Sequence, residues 1–183
     1  MGEKKYTVDE IIKIGTEVGI KAGMEYIRKE KEQRKKGRYD RRLRNTKLLL
    51  REYRTLKIHS KDAVYSLGGA KAIDILDELD SFEYDDNLYI ESIKKSKERT
   101  AVIISHVNQM MNIFKQLCEN SKNIEDARKY KVIHSQFIAE EEITVEELAQ
   151  QLNVHPRTVY KDIDNAVKTI SSLMFGIDGL KMF

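Results

Sequence analysis

The chain has 183 residues, 34% of them charged and 40% apolar, with one Pro and no Trp, which suits a helix-rich globular chain of one domain or two small ones. No apolar run approaches the roughly 20 residues of a membrane span, the opening MGEKKYTVDEII lacks a signal-peptide core, and a lone Cys118 excludes an intrachain disulfide and a cysteine-clustered zinc site, so a cytoplasmic protein is expected. The net charge of +3 conceals a basic block of fourteen Lys/Arg against four Asp/Glu from Arg28 to Lys57, then an acidic block of eight Asp/Glu and no Lys/Arg from Asp74 to Glu91.

Thr7-Val8-Asp9-Glu10 has the form of a capping box and leads into Ile11, Ile12, Ile14 and Val18, predicting a helix from about Val8 into the mid-thirties. Gly15, Gly19 and Gly23 weaken that helix but line one face where another backbone could approach. Gly37 is the expected break. A second helix is predicted from about Arg38 to Ile58, on Leu43, Leu48, Leu49, Leu50, Tyr53 and Leu56. Ser60 can cap a short third helix ending at Gly68-Gly69, and Ala70 to Leu79 reads as a fourth. The acidic stretch from Ser81 to Asn87 is the linker candidate.

Leu88 to Cys118 reads as one long helix. Thr100, Ile104, Val107, Met111, Phe114 and Cys118 alternate by four and three along it, the spacing of a core-facing stripe. Ile124 to Ala139 follows, with Tyr130, Ile133, Phe137 and Ile138 inward. The chain is therefore expected to be all-α, with a basic helical region at 1–82 and a C-terminal domain at 83–183.

The stretch TVEELAQQLNVHPRTVYKDIDNAV, residues 144–167, carries the clearest functional pattern. Thr144 is a candidate N-cap with Glu147 as its reciprocal partner, opening a short helix from Val145 to Leu152 that buries Leu148, Ala149 and Leu152. Asn153 falls where the chain must turn, and Asn tolerates left-handed geometry. Val154 plugs the turn, and Pro156 suits the first position of the next helix. Val159, Ile163, Ala166, Val167 and Ile170 form its inward stripe. The layout is that of a helix-turn-helix, whose second helix enters the major groove by its N-terminal end. His155, Pro156, Arg157, Thr158, Tyr160, Lys161 and Asn165 are the candidate DNA contacts. Residues 143–183 hold only four Lys/Arg against five Asp/Glu, so affinity must come from elsewhere. Arg38, Arg41, Arg42, Arg44 and Lys47, with Tyr39 and Tyr53 interleaved, are the candidate phosphate contacts; a polymerase contact, an intramolecular contact and a solvated face are the other readings of this block. The acidic stretch 74–91 is expected to compete with phosphates for it.

Four helices ending in a helix-turn-helix resemble the promoter-reading C-terminal domain of a bacterial sigma factor. The run RTVYKDID also resembles winged-helix regulators, but the short remainder after Ser171 is expected to leave no room for a wing. Over nearly its whole length the chain is similar to the ArpU family of phage late-gene transcription regulators, relatives of the RinA activators. The segments that carry this are RRLRNTKLLLREYR (41–54), SIKKSKERTAVIISHVNQMM (92–111), ARKYKVIHSQFI (127–138), TVEELAQQLNVHPRTVYKDID (144–164) and MFGIDGL (174–180). The resemblance implies a sequence-specific, sigma-like activator of packaging, morphogenesis or lysis genes. Its partners would be double-stranded DNA at a late promoter and bacterial RNA polymerase, and its DNA-reading positions Pro156 to Lys161. Whether residues 1–82 correspond to the core-binding domain of a sigma factor stays open. An adaptor acting on polymerase or a sigma factor without reading DNA is the alternative function.

The remaining motifs point away from catalysis. His59, His106, His134 and His155 are too scattered for a metal set. Gly68-Gly69 precedes no Gly-Lys-Ser/Thr and reads as a turn. No nucleophile-and-base constellation emerges, so no enzyme activity, cofactor, metal, small-molecule ligand or membrane partner is expected.

Overall fold

A computed structural model describes residues 7–61, 69–81 and 86–176, which form an all-α protein. Its helices are α1 (Val8–Arg51), α2 (Tyr53–His59), α3 (Gly69–Ser81), α4 (Asp86–Ile93), α5 (Lys97–Asn120), α6 (Ile124–Ile133), α7 (Val145–Gln151) and α8 (Pro156–Phe175). A π-helical turn, His134–Ile138, continues α6. The chain divides into two compact units, Met1–Tyr39 and Asp40–Phe183.

In the first unit the predicted capping box forms: Thr7 donates its backbone N–H to Glu10 Oε2 at 2.8 Å, and the Glu10 N–H is 3.4 Å from Thr7 Oγ1. Gly37 does not end the helix, contrary to expectation; α1 continues through it to Arg51. A helical Gly costs only about 1 kcal/mol relative to Ala. Here it is flanked by Lys35, Lys36 and Arg38, which are good helix formers. The real irregularity is at Glu52, with φ −90° and ψ 4°, and Leu56 N–H still bonds Glu52 O at 2.9 Å across it. The helix expected at 60–68 lies outside the described residues beyond Lys61.

The second unit is built around a main apolar core. Leu48, Leu49, Leu50, Tyr53 and Leu56 from α1 and α2 are buried with Ile103, Val107, Met111 and Phe114 of α5 and with Ala166, Val167 and Ile170 of α8. All six residues of the predicted α5 stripe, Thr100 through Cys118, are buried. The division expected between residues 82 and 83 falls inside this unit. The single helix expected from Leu88 to Cys118 is instead two, α4 and α5. Ser96 adopts extended backbone and accepts the Arg99 N–H at 3.0 Å, while the Thr100 hydroxyl bonds Ile93 O at 2.9 Å. A serine that can cap a new helix start competes with continuing the old one.

Polar clamps tie these layers together. Arg42, 6% exposed, donates Nε and Nη2 to the Asp80 carboxylate at 2.6 and 2.7 Å, joining α1 to α3. The Tyr53 hydroxyl donates to Asn108 Oδ1 at 2.6 Å. Arg54 donates Nε to Ala139 O at 2.7 Å and Nη2 to Gln136 O at 3.1 Å, capping the carbonyl end of the π-helical turn with a cation. Cys118 is buried, and burial pushes its thiol up, away from a reactive thiolate.

Candidate nucleic-acid interface

The site is assembled from the α7 cap upward. Thr144 Oγ1 accepts the Glu147 N–H at 3.2 Å, and Glu147 Oε2 accepts the Thr144 N–H at 2.9 Å, completing the predicted capping box. That backbone hydrogen bond holds the Glu147 carboxyl below the usual carboxylate range. At the other end of α7, Val154 N–H reaches Ala149 O at 3.0 Å and Asn153 N–H reaches Gln150 O at 3.1 Å. This is the paired bonding of a Schellman motif, which needs a left-handed residue at its centre. Asn153 supplies it, with φ 51°.

Beneath the turn, Val132, Leu148, Ala149 and Val159 form a second small core, with Ile143, Val145, Leu152, Val154 and Ile163 packed against it. Ala149 is 2% exposed and belongs to this cluster. Ala149→Leu is expected to cost on the order of 1–3 kcal/mol through overpacking. Thermal melts would show it as a lowered midpoint, and an unchanged midpoint would mean the site can expand.

His155 is the N-cap of α8: its Nδ1 accepts the Arg157 N–H at 3.1 Å, leaving Nε2 for an outside partner. Pro156 occupies the first turn with its missing N–H costing nothing. The inward stripe of α8 is Val159, Ala166, Val167 and Ile170, all buried, with Ile163 half-buried. Opposite it, Arg157, Lys161, Asp164 and Lys168 are exposed at spacings of four, three and four, which places them in one row along the helix. Tyr160 is exposed beside the row, and Thr158 and Asn165 are half-buried at its edges. The candidate contacts of α8 are thus brought together on one outward face.

The basic block is dispersed. Lys47 reaches this face: its Nζ bonds Asp164 Oδ1 at 2.9 Å, neutralising the acid in the middle of the row. Arg42 does not. It is buried against Asp80 and lies 5.8 Å over the ring of Phe175, eighteen positions beyond Arg157 and so about 27 Å further along α8. It is a structural residue of the core, and its expected phosphate contact does not survive its burial. Arg41 donates Nε to Asp80 O at 3.1 Å, and Arg44 Nε lies 3.7 Å from Asp86 Oδ1; both are half-buried. Arg38 is exposed on α1 in the unit Met1–Tyr39. The acidic stretch therefore meets the basic one at Asp80 and Asp86.

One pair that positions the site is absent from the sequence-derived candidates. Asp162, 3% exposed on the inner side of α8, accepts from Arg128 Nε at 2.5 Å and Nη2 at 3.3 Å. The pair fixes α8 against α6. The bond to Asp162 also holds the Arg128 guanidinium still more firmly in its charged form. The signal was there: Asp162 lies three residues after Val159 and four before Ala166, so a carboxylate on that stripe requires a partner.

No curated protein and no solved structure matches the chain. Residues 129–180 match a family model described as an HTH domain, and with the geometry of α6 to α8 this makes the C-terminal part of the chain a helix-turn-helix DNA-binding domain.

Proposed function

We propose that the chain is a sequence-specific transcription activator that works in the manner of a sigma factor on late genes, for packaging, morphogenesis or lysis, of a phage or prophage. The observation that carries the reading of DNA is the outward row of α8. Arg157 and Lys161 stand free of the core at the end of the helix that a helix-turn-helix presents to the major groove. The finer role rests on the ArpU-like segments, which include the whole of this row through Asp164. In this reading the protein acts in the cytoplasm, with a promoter duplex and RNA polymerase as its partners. Residues 83–183 read sequence, and residues 1–82 support them.

The dispersal of the basic block sharpens the division of roles. Lys47 acts by cancelling Asp164, so that the row opposes phosphates nowhere. Arg38, Arg41 and Arg44 contribute longer-range attraction, each phosphate neutralised adding roughly 0.9 to the logarithmic salt slope.

The test is a footprint on the region upstream of the protein's own late operon. Arg157→Ala is expected to lose roughly 1–3 kcal/mol of discrimination between operator and random duplex, while Lys161→Ala weakens binding to both. If both variants protect the operator as the native protein does, α8 is not the reader. Retention of polymerase by a chain that protects no DNA would favour the adaptor reading instead.

A further inference from the structure

We infer that Asp164 reads the amino group of a cytosine in the major groove, and that Lys47 positions its carboxylate for that contact. The inference rests on the DNA-reading proposal and adds a base to it.

The first observation is where the acid stands. Arg157, Lys161, Asp164 and Lys168 are all exposed and fall within about 60° of one another around α8. A duplex that meets the two cations before Asp164 therefore meets Asp164 as well. It lies two turns, about 10 Å, beyond Arg157, at a different base pair. A carboxylate on this face repels phosphates and weakens binding to every sequence alike. That cost is recovered only where a base offers it a donor.

The second observation is how the acid is held. Asp164 follows Lys161 by three residues and precedes Lys168 by four, the spacings of an ion pair within one helix. The structure uses neither. Asp164 Oδ1 accepts from Lys47 Nζ at 2.9 Å, and Lys47 comes from α1, 117 positions away. The two side chains are 52% exposed at Lys47 and 59% at Asp164, and a solvated pair of this kind contributes little to stability. What the pair does is hold the carboxylate in one direction with its charge offset. Oδ1 is engaged, while Oδ2 takes no hydrogen bond from a described residue. Asp162, on the inner side of the same helix, instead engages both its oxygens on Arg128. Asp164 thus presents one open acceptor to whatever the row meets, and Lys161 and Lys168 are left for phosphates and base acceptors.

The chemistry of the groove selects the base. Its edges offer a carboxylate only two kinds of donor, the N4 amino group of cytosine and the N6 amino group of adenine. Adenine N6 lies between two acceptors, its own N7 and the O4 of the paired thymine, so a negative charge is opposed on both sides. Cytosine N4 has an acceptor on one side only, the guanine O6. A single carboxylate oxygen therefore favours cytosine.

The test is selection by the full chain from a pool of duplexes with a randomised core, followed by affinity measurements on the selected sequence. The native chain is expected to enrich cytosine at one position and to bind about fivefold or more weakly when another base replaces it. Asp164→Ala is expected to leave that position unspecified while every other position keeps its base. Asp164→Asn is expected to prefer adenine there, because a carboxamide matches adenine N6 and N7 together. Lys47→Met is expected to weaken the preference at that position alone, with thermal melting unchanged, and Lys47→Arg to keep it. If Asp164→Ala selects the native sequence throughout, or if the position it frees carries a base other than cytosine, the inference is overturned and the DNA-reading proposal stands. A Lys47→Met chain with undiminished preference overturns the positioning role. A native chain that enriches no sequence overturns the DNA-reading proposal and this inference together.

Discussion

Asp162→Ala is expected to lower the stability of the Asp40–Phe183 unit by about 3–5 kcal/mol, the range for removing one partner of a buried ion pair. The carboxylate is 3% exposed and the Arg128 guanidinium beside it 19% exposed. Removing the acid leaves a largely desolvated cation between α6 and α8 with its two best hydrogen bonds unmade. Arg128→Ala is expected to act in the same direction by stranding the carboxylate. The double replacement Arg128→Met with Asp162→Leu should recover much of the loss, because apolar side chains of similar volume remove both charges together. Urea unfolding measures this as a shifted midpoint with little change in slope. A loss under about 1 kcal/mol, the worth of a solvated surface pair, would show that water reaches the site and that the pair does not fix α8.

The second large effect concerns the N-terminal border of the folding unit. A chain beginning at residue 40 is expected to unfold cooperatively, whereas one beginning at residue 83 is expected to be expanded and aggregation-prone. The shorter fragment lacks Leu48, Leu49, Leu50, Tyr53 and Leu56, all 3% exposed or less. Truncating one buried large apolar side chain costs roughly 2–5 kcal/mol, so the loss of five, roughly 10–25 kcal/mol, matches or outweighs the 5–15 kcal/mol that holds a typical domain. It also removes Arg54 from the carbonyls of Gln136 and Ala139, loosening the segment that enters α7. Circular dichroism with urea titration of the two fragments decides the matter. A sharp transition for the shorter one would mean that α4 to α8 cover their own core.

What was legible in the sequence was local. Thr144 with Glu147, Asn153 and Pro156 each act within a few residues of themselves, and each takes the position its chemistry predicts. The apolar stripes of α5 and α8 were legible for the same reason, since periodicity repeats along one element. Gly37 misled because a mild intrinsic cost was read as a stop. Ser96 was hidden inside a longer periodic run, although a serine there can start a helix as well as sit within one. The clamps were the least legible. Arg42 and Asp80, or Arg128 and Asp162, lie 38 and 34 residues apart, and residue type alone assigns all four to solvent. Arg42 in particular was grouped, as a candidate phosphate contact, with neighbours that share its charge but not its burial.

The bond from Arg54 to Ala139 spans 85 positions, and Leu48 to Leu50 share a core with residues as distant as Ile170. Such separation is unusual for a helical protein, where contacts are mostly local and folding correspondingly fast. During synthesis the leucines emerge first and wait for α8. At 5–20 residues per second that delay is roughly 6–25 s. Throughout it, the three consecutive leucines lack the α8 side of their core and are partly open to other nascent chains. This protein is thus expected to fold only after the ribosome has nearly finished it, and to depend in that interval on chaperones that shield apolar segments.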